Sequence, residues 1–187
     1  MKLSEIAEYS KLRANAIELS ASNYIGVDNL LPEKRGKTDS NFVPNSGSFT
    51  RFSVGDILIG NIRPYLKKIW LADITGGTNG DVLVIHLTKD NVLPRYLYQT
   101  LCSDNFFAYN VQYSKGAKMP RGSKQAIMNY RIPIPPIDEQ IRIIDILERF
   151  QALVNNITTG LPAEIAARQK QYGYYRDKLL KFEEAVG

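Results

Sequence analysis

The stretch Tyr130-Arg131-Ile132-Pro133-Ile134-Pro135-Pro136-Ile137-Asp138-Glu139-Gln140 decides how this chain is organised. It predicts a short strand that ends at the double proline, because proline has no backbone N–H with which to continue a sheet. Pro136 suits the first position of a helix, and Asp138 and Glu139 complement the positive end of the helix dipole. The stretch therefore indicates a stiff junction between a globular part and a helical part.

The sequence pattern differs on the two sides of this junction. Before it, apolar runs at 57–60, 67–71 and 81–87 predict strands, and residues 94–102 and 105–112 predict helices. After it, isoleucines and leucines recur at helical spacing, with a heptad-like pattern near the end of the chain. We therefore predict an α+β protein, with a mixed α/β domain over residues 1–135 and long helices, in part coiled coil, over residues 136–187.

Three further local predictions complete the domain. Residues 2–10 predict a short helix capped by Ser4, since apolar residues there lie at helical spacing. The run Gly76-Gly77-Thr78-Asn79-Gly80 predicts a turn, because glycine and asparagine favour turns. Residues 129–134 predict the last strand of the domain.

The excess of positive over negative charge lies before the junction. Residues 1–136 contain 17 Lys/Arg and 11 Asp/Glu, a balance of +6, whereas residues 137–187 contain 7 and 8, a balance of −1. A basic domain favours an anionic partner such as nucleic acid, and a near-neutral helical tail favours a protein partner. The alternative is that the charge serves only solubility.

Few enzyme classes fit this composition. With Cys102 and His86 the only residues of their types, a disulfide framework and a cysteine- or histidine-based metal centre are excluded. The sequence contains neither a glycine-rich phosphate loop nor a Gly-x-Ser-x-Gly motif. We therefore expect no catalytic residue, metal or cofactor in this chain. Without a signal peptide or a long apolar run, we expect no membrane contact and a cytoplasmic location.

Three basic segments are candidates for contact with nucleic acid, since such segments can hold phosphates and present a side chain to a base edge. A turn between two strands contributes Arg63, Tyr65, Lys67 and Lys68. A glycine-containing loop without acidic residues contributes Lys115, Lys118, Arg121, Ser123 and Lys124. A weaker cluster contributes Lys34, Arg35 and Lys37. The alternative for each segment is a solvated loop.

Four segments together resemble the DNA-specificity subunit of type I restriction-modification systems. They are Gly55–Leu58, Gly116–Lys124, Ile132–Gln140 and Ala167–Leu180. Members of that family usually carry two target-recognition domains, each followed by a helical region, whereas this chain has one of each. The resemblance therefore implies a half-length form, either natural or truncated.

The resemblance also implies a non-catalytic function. The target-recognition domain would read one half of a bipartite site in double-stranded DNA. The helices would set the gap between the halves and dock the modification (methyltransferase) subunits, which supply S-adenosylmethionine and methylate adenine. A restriction subunit, which carries the motor and the nuclease, is a further candidate partner.

A half-length subunit must pair to read two half-sites. We therefore expect a homodimer with two-fold symmetry and an interrupted palindromic site. The predicted apolar seam consists of Ile141, Ile144, Leu147, Tyr172, Tyr175 and Leu179. Leu179→Asp is expected to give monomers with weakened DNA binding. The alternative is a helix that folds back onto its own domain.

Other functions remain open at this point. One is an enzyme acting alone, which binding of S-adenosylmethionine would indicate. Another is a decoy or adaptor that competes for modification subunits, which an absence of salt-sensitive DNA binding would indicate. A third is the specificity half of a fused restriction–methylation enzyme, and only its partners would distinguish it.

Overall fold

The computed structural model describes residues 1–152, in which seven strands and four α-helices follow one another. The strands are β1 (Ala7–Tyr9), β2 (Arg13–Asn15), β3 (Ser48–Phe52), β4 (Ile57–Gly60), β5 (Ile69–Leu71), β6 (Gly76–Thr78) and β7 (Val82–Leu87). The helices are α1 (Pro94–Leu101), α2 (Asp104–Gln112), α3 (Lys124–Asn129) and α4, which is helical from residue 137 to residue 152. The predicted α+β fold class is confirmed. The predicted coiled coil lies outside the described residues.

The strands form two antiparallel sheets. The larger sheet has the order β1-β7-β4-β5 and the smaller sheet has the order β2-β3-β6. Leu58 on the central strand β4 pairs with Val84 on β7 and with Trp70 on β5. The larger sheet therefore carries the main framework of the domain.

Both faces of the larger sheet are covered, which explains why β4 is a continuous apolar run. Alternate side chains of a strand point to opposite faces, so Ile57 and Ile59 pack with the residues of α1–α3 while Leu58 packs on the other side. On that second side Phe52 of β3 meets Trp70 edge-on, with ring centroids 5.8 Å apart. All four residues of β4 are buried.

Two glycines show why the predicted turn at residues 76–80 is wrong. Gly76 and Gly77 lie inside β6, paired with β3. A Cβ atom at Gly76 would overlap the carbonyl oxygen of Asn23, and the Gly77 N–H donates to that same oxygen at 3.1 Å. Glycine is needed here for close approach of two backbones.

The N-terminus differs from the predicted helix over residues 2–10. Leu3–Glu5 form a single 3₁₀ turn, and Ala7–Tyr9 form β1 at the edge of the larger sheet. Pairing of β1 with β7 determines this conformation, since tertiary contacts override weak helical propensity.

The predicted strand over residues 129–134 is reduced to an extended segment that pairs with the N-terminus. The Ile132 N–H donates to the Met1 carbonyl at 2.8 Å, and the Leu3 N–H donates to the Tyr130 carbonyl at 2.9 Å. Asn129 belongs to α3. Helix α4 then begins at residue 137, directly after the double proline. Pro136 precedes the helix instead of occupying its first position, and its carbonyl accepts from the Gln140 N–H at 3.1 Å.

Gln140 fixes the start of α4 to the domain. Its side chain is fully buried, and its Oε1 accepts from the Leu93 N–H at 2.9 Å. Its Nε2 donates to the carbonyls of Asn91 and Pro135, both at 2.9 Å. The first compact unit accordingly extends from Met1 to Ile144, so the first turns of α4 pack with the globular domain.

Two kinds of feature are absent from residues 1–152. No helix there has the length and apolar character needed to cross a bilayer. No group of three or more His, Cys, Asp or Glu side chains in that part of the chain is arranged to hold a metal ion.

Candidate nucleic-acid interface

The turn that carries Arg63 has an unusual backbone. Arg63 lies in the left-handed region at φ 52° and ψ 63°, Pro64–Leu66 form a 3₁₀ turn, and Lys67 is again left-handed at φ 50°. Residues other than glycine adopt this conformation at a cost, and such residues concentrate at functional sites. The turn leaves Arg63 exposed and Tyr65 50% exposed.

The second basic segment is a closed loop. The Lys115 N–H donates to the Arg121 carbonyl at 2.9 Å, and the Arg121 N–H donates to the Lys115 carbonyl at 2.8 Å. These two bonds close the loop at its base, and Gly116 allows the sharp bend with φ 106°. Lys118 and Met119 lie exposed on the loop.

Backbone hydrogen bonds join this loop to the Arg63 turn. The Arg63 N–H donates to the Pro120 carbonyl at 2.8 Å, and the Gly122 N–H donates to the Asn61 carbonyl at 3.1 Å. The two segments are far apart in the sequence, yet they form one continuous piece of backbone structure. Their relative position is therefore fixed by main-chain contacts.

The segment that contains Lys34 is also joined to the Arg63 turn by backbone hydrogen bonds. The Glu33 N–H donates to the Leu66 carbonyl at 2.9 Å, and the Lys34 N–H donates to the Lys67 carbonyl at 3.0 Å. Among residues 1–152 the non-glycine residues with positive φ are Glu33, Lys34, Arg63 and Lys67. All of them lie where these segments meet, which we call the basic surface: residues 33–37, 63–68 and 115–124.

Acidic side chains hold several cations of the basic surface in place. Asp104 Oδ1 at the start of α2 accepts from Lys34 Nζ at 3.1 Å and from Lys67 Nζ at 2.9 Å. Hydrogen bonds from Lys67 and Lys34 hold the pKa of the Asp104 carboxyl below its usual value, and the bond to Asp104 raises the pKa of Lys67. Arg121 pairs with Asp81 at 2.8 Å. Sequence reasoning missed both acids, because they lie far from these cations along the chain.

Three cations of the basic surface have no such partner. Within the described part of the chain, no hydrogen bond or ion pair engages the side chains of Arg63, Lys115 and Lys118. All three are exposed. Their charges are therefore available to an anion in solution.

Two predicted contact lysines turn toward the domain instead. Lys68 Nζ donates to the Val27 carbonyl at 2.7 Å. Lys37 Nζ pairs with Asp39 at 2.7 Å and lies 6.0 Å from the centroid of the Trp70 ring. The Lys37 charge is therefore paired with a carboxylate of the protein, and the Lys68 ammonium is held against the domain by a backbone carbonyl.

The remaining predicted residues lie at the margins of the basic surface. Arg35 is exposed, and its Nε donates to the Pro32 carbonyl at 3.1 Å. Ser123 caps α3 through its side-chain oxygen, which is a structural task. Lys124 lies over the ring of Tyr9, 5.9 Å from the centroid.

Two buried asparagines lie against the loop of residues 115–124 at Gly122. Asn61 and Asn110 are 7% and 1% exposed, and in the described residues the Asn61 Oδ1 and both polar side-chain atoms of Asn110 have no hydrogen-bond partner. Gly122 lies against both: a Cβ atom there would overlap Asn110 Oδ1 and lie 3.0 Å from Asn61 Oδ1. In the sequence, the only indication of this close contact is that a glycine, Gly122, lies among the cations of the loop.

The predicted helical seam is divided by the structure. Ile141 is 45% exposed and Leu147 is 41% exposed, whereas Ile144 is buried in the core of the domain. Phe150, which is not among the predicted seam residues, is 63% exposed. The other predicted seam residues lie outside the described residues; they are Tyr172, Tyr175 and Leu179.

Comparisons with known proteins identify the family. The family described as type I restriction modification DNA specificity domain matches residues 2–167. The EcoR124I/EcoR124II type I restriction enzyme specificity subunit of Escherichia coli is 36% identical over 130 residues, which is 70% of this chain and 32% of that protein.

Two solved structures share the fold. The HsdS subunit from Thermoanaerobacter tengcongensis superposes with a TM-score of 0.72 at 22% identity, covering 92% of this chain and 46% of that one. A chain from a study of complex assembly and conformational transition of the type I R-M system gives a TM-score of 0.66 at 21% identity, covering 100% and 50%. This chain thus matches about half of each structure and about a third of the curated relative. With the family match spanning most of its sequence, the chain belongs to the type I restriction-modification DNA specificity domain family.

Proposed function

We propose that this chain is a non-catalytic unit that recognises one half of a bipartite site in double-stranded DNA. The observation that carries the proposal is the basic surface, in which three basic segments are joined by backbone hydrogen bonds. A surface held by main-chain contacts is pre-organised, so little conformational entropy is lost when DNA binds. Membership of the specificity-domain family supports the same function.

The available cations suggest a division of work on the DNA. Arg63 is exposed at the start of the 3₁₀ turn, and a guanidinium can read guanine by two hydrogen bonds in the major groove. Lys115 and Lys118 lie on the closed loop, where their ammonium groups suit phosphate oxygens. Tyr65 and Met119 add exposed apolar area that can contact bases or sugars.

The proposal assigns the chemistry to partners. Modification subunits would hold S-adenosylmethionine and methylate adenine, and the helical part of this chain would dock them. A restriction subunit is a further proposed partner. These assignments rest on family membership alone.

We also propose that two copies pair through their helices, so that together they read an interrupted palindrome. Leu147 and Phe150 are exposed apolar side chains three residues apart on α4, so they share a face that suits such a contact. Ile141 is also exposed, but it lies nine residues from Phe150 and therefore on the opposite side of the helix. Ile144 is not part of this proposal, because its side chain is already buried in the domain.

The test is salt-dependent binding of this 187-residue chain to duplex DNA. Lys118→Ala is expected to weaken binding on all sequences and to reduce the slope of log K against log salt by about one. Arg63→Ala is expected to cost roughly 1–3 kcal/mol on the cognate half-site and to relax one base position.

The control is Lys89→Ala, an exposed lysine that follows β7 at the opposite end of that strand from Asp81. It removes the same charge away from the basic surface. If the wild-type chain shows no salt-sensitive binding, or if all three variants behave alike, the proposal fails and the decoy function is favoured.

A further inference from the structure

Two lysines of the basic surface converge on one carboxylate oxygen. Lys34 Nζ and Lys67 Nζ lie 3.1 Å and 2.9 Å from Asp104 Oδ1. Glu33 adds only a distant contact, 4.0 Å from Lys67 Nζ. Two positive charges therefore share the Asp104 carboxylate at hydrogen-bond distance, with Glu33 as a second, more distant negative charge.

The convergence is set by the backbone. Lys34 and Lys67 are both left-handed, and their main chains are joined by the bond from the Lys34 N–H to the Lys67 carbonyl, at 3.0 Å. Their side chains are only 29% and 30% exposed, so their stems are packed. The two ammonium groups are thus held toward a common point.

The carboxylate lies on the outside of this arrangement. The Asp104 side chain is 74% exposed, more than twice as exposed as either lysine. Asp104 is the first residue of α2, where the helix dipole favours a negative charge. A phosphate that approaches the two lysines therefore meets the Asp104 carboxylate and is repelled by it.

We propose that Lys34 and Lys67 form a binding site for a phosphodiester group of the DNA backbone, and that Asp104 occupies this site in the free protein. The inference rests on the proposed function and deepens it. Each ammonium group has three N–H donors, so the lysines can pass from the carboxylate to a phosphate without moving far. Asp104 then acts as an internal competitor that weakens binding to phosphates in general.

Such a competitor has a consequence for selectivity. Binding to unrelated DNA depends almost wholly on phosphate contacts, whereas binding to the cognate site gains additional free energy from base contacts. A carboxylate that lowers phosphate affinity therefore shortens the time spent on unrelated sequences. Asp104 would hold nonspecific binding down while base contacts retain the cognate site.

The test is Asp104→Asn, which keeps an Oδ1 acceptor for both lysines and removes the negative charge. With duplex DNA of unrelated sequence, the variant is expected to bind several-fold more tightly than wild type. The slope of log K against log salt is expected to steepen by about 0.9 for one added phosphate contact. Adding Lys67→Ala to the variant should remove this gain.

The matched control is Asp73→Asn, which makes the same charge change at an exposed residue following β5. Lys67 precedes β5, so the control lies at the other end of that strand. Thermal unfolding of each variant confirms that folding is retained.

The outcomes separate the two proposals. If Asp104→Asn binds no more tightly than Asp73→Asn, the competitor role is wrong and Asp104 only positions the lysines, while the effects of Lys118→Ala and Arg63→Ala would persist. If the wild-type chain lacks salt-sensitive DNA binding altogether, the proposed function and this inference both fail.

Discussion

Replacing Gln140 by alanine tests how the helix is attached to the domain. The side chain supplies one acceptor to the Leu93 N–H and two donors, to the carbonyls of Asn91 and Pro135. Its removal leaves a backbone N–H without a partner, which costs roughly 1–3 kcal/mol when buried. Because these backbone groups are only partly buried, we expect about 2–3 kcal/mol in total, including the cavity left by the side chain.

Chemical denaturation followed by tryptophan fluorescence measures this loss. Trp70 is the single tryptophan and is 8% exposed in the domain core, so its emission reports unfolding of the domain. Gln112→Ala is the control, because Gln112 is exposed at the end of α2 and its loss should change stability by less than about 0.5 kcal/mol.

Gln140→Glu separates hydrogen bonding from packing, since it keeps the shape of the side chain. A carboxylate in this position would face two carbonyl oxygens, so the variant should be destabilised at neutral pH. A protonated carboxyl can donate a hydrogen bond again, so the loss should shrink as the pH falls. If Gln140→Ala costs no more than Gln112→Ala, the junction is not held by this side chain.

Two further substitutions and one labelling experiment test other parts of the molecule. Gly122→Ala would force a methyl group against the buried Asn110 amide, so we expect a loss of roughly 1–3 kcal/mol and weaker DNA binding; denaturation together with DNA titration checks both, and an unchanged protein would mean that the loop yields easily. Burial raises the pKa of the Cys102 thiol to about 11, so alkylation at neutral pH should be slow until denaturant unfolds the domain; rapid labelling of the native protein would contradict this. Phe150→Asp on α4 is expected to convert dimers to monomers in sedimentation velocity, whereas a retained dimer would remove Phe150 from the proposed contact.

The local sequence pattern is sufficient to predict several strands and helices of the domain. Strands β4 and β7 were predicted because they are apolar runs bounded by turn residues, and helix α1 because Pro94 opens an amphipathic segment. The start of α4 followed from the double proline. In each case the residues themselves favour the conformation that the fold requires.

Elements determined by distant partners were not predicted correctly. Residues 7–9 become a strand only because β7 offers an edge, and β6 contains two glycines because another backbone passes close to it. Neither signal is visible in a window of neighbouring residues. The conformations of residues 7–9 and of β6 are therefore determined by contacts with distant segments, which neighbouring residues do not indicate.

The basic surface shows the same division. Composition identifies each basic segment. It does not show that residues 33–37 and the loop of residues 115–124 are both joined to the Arg63 turn by backbone hydrogen bonds. Composition also gave no indication of Asp104, which lies 70 residues from Lys34 and 37 from Lys67 along the chain. Sequence therefore supplied the charges, whereas the fold supplied their arrangement.

A genome-wide map of methylated adenines tests whether this chain directs methylation to a bipartite DNA site. The comparison is between the native strain, a strain lacking this gene, and a strain carrying Lys118→Ala together with Arg63→Ala. We expect one interrupted palindromic motif to be lost in the deletion strain and to be methylated less in the double variant. A map that is unchanged in the deletion strain, with the protein shown to be expressed in the native strain, would contradict this expectation.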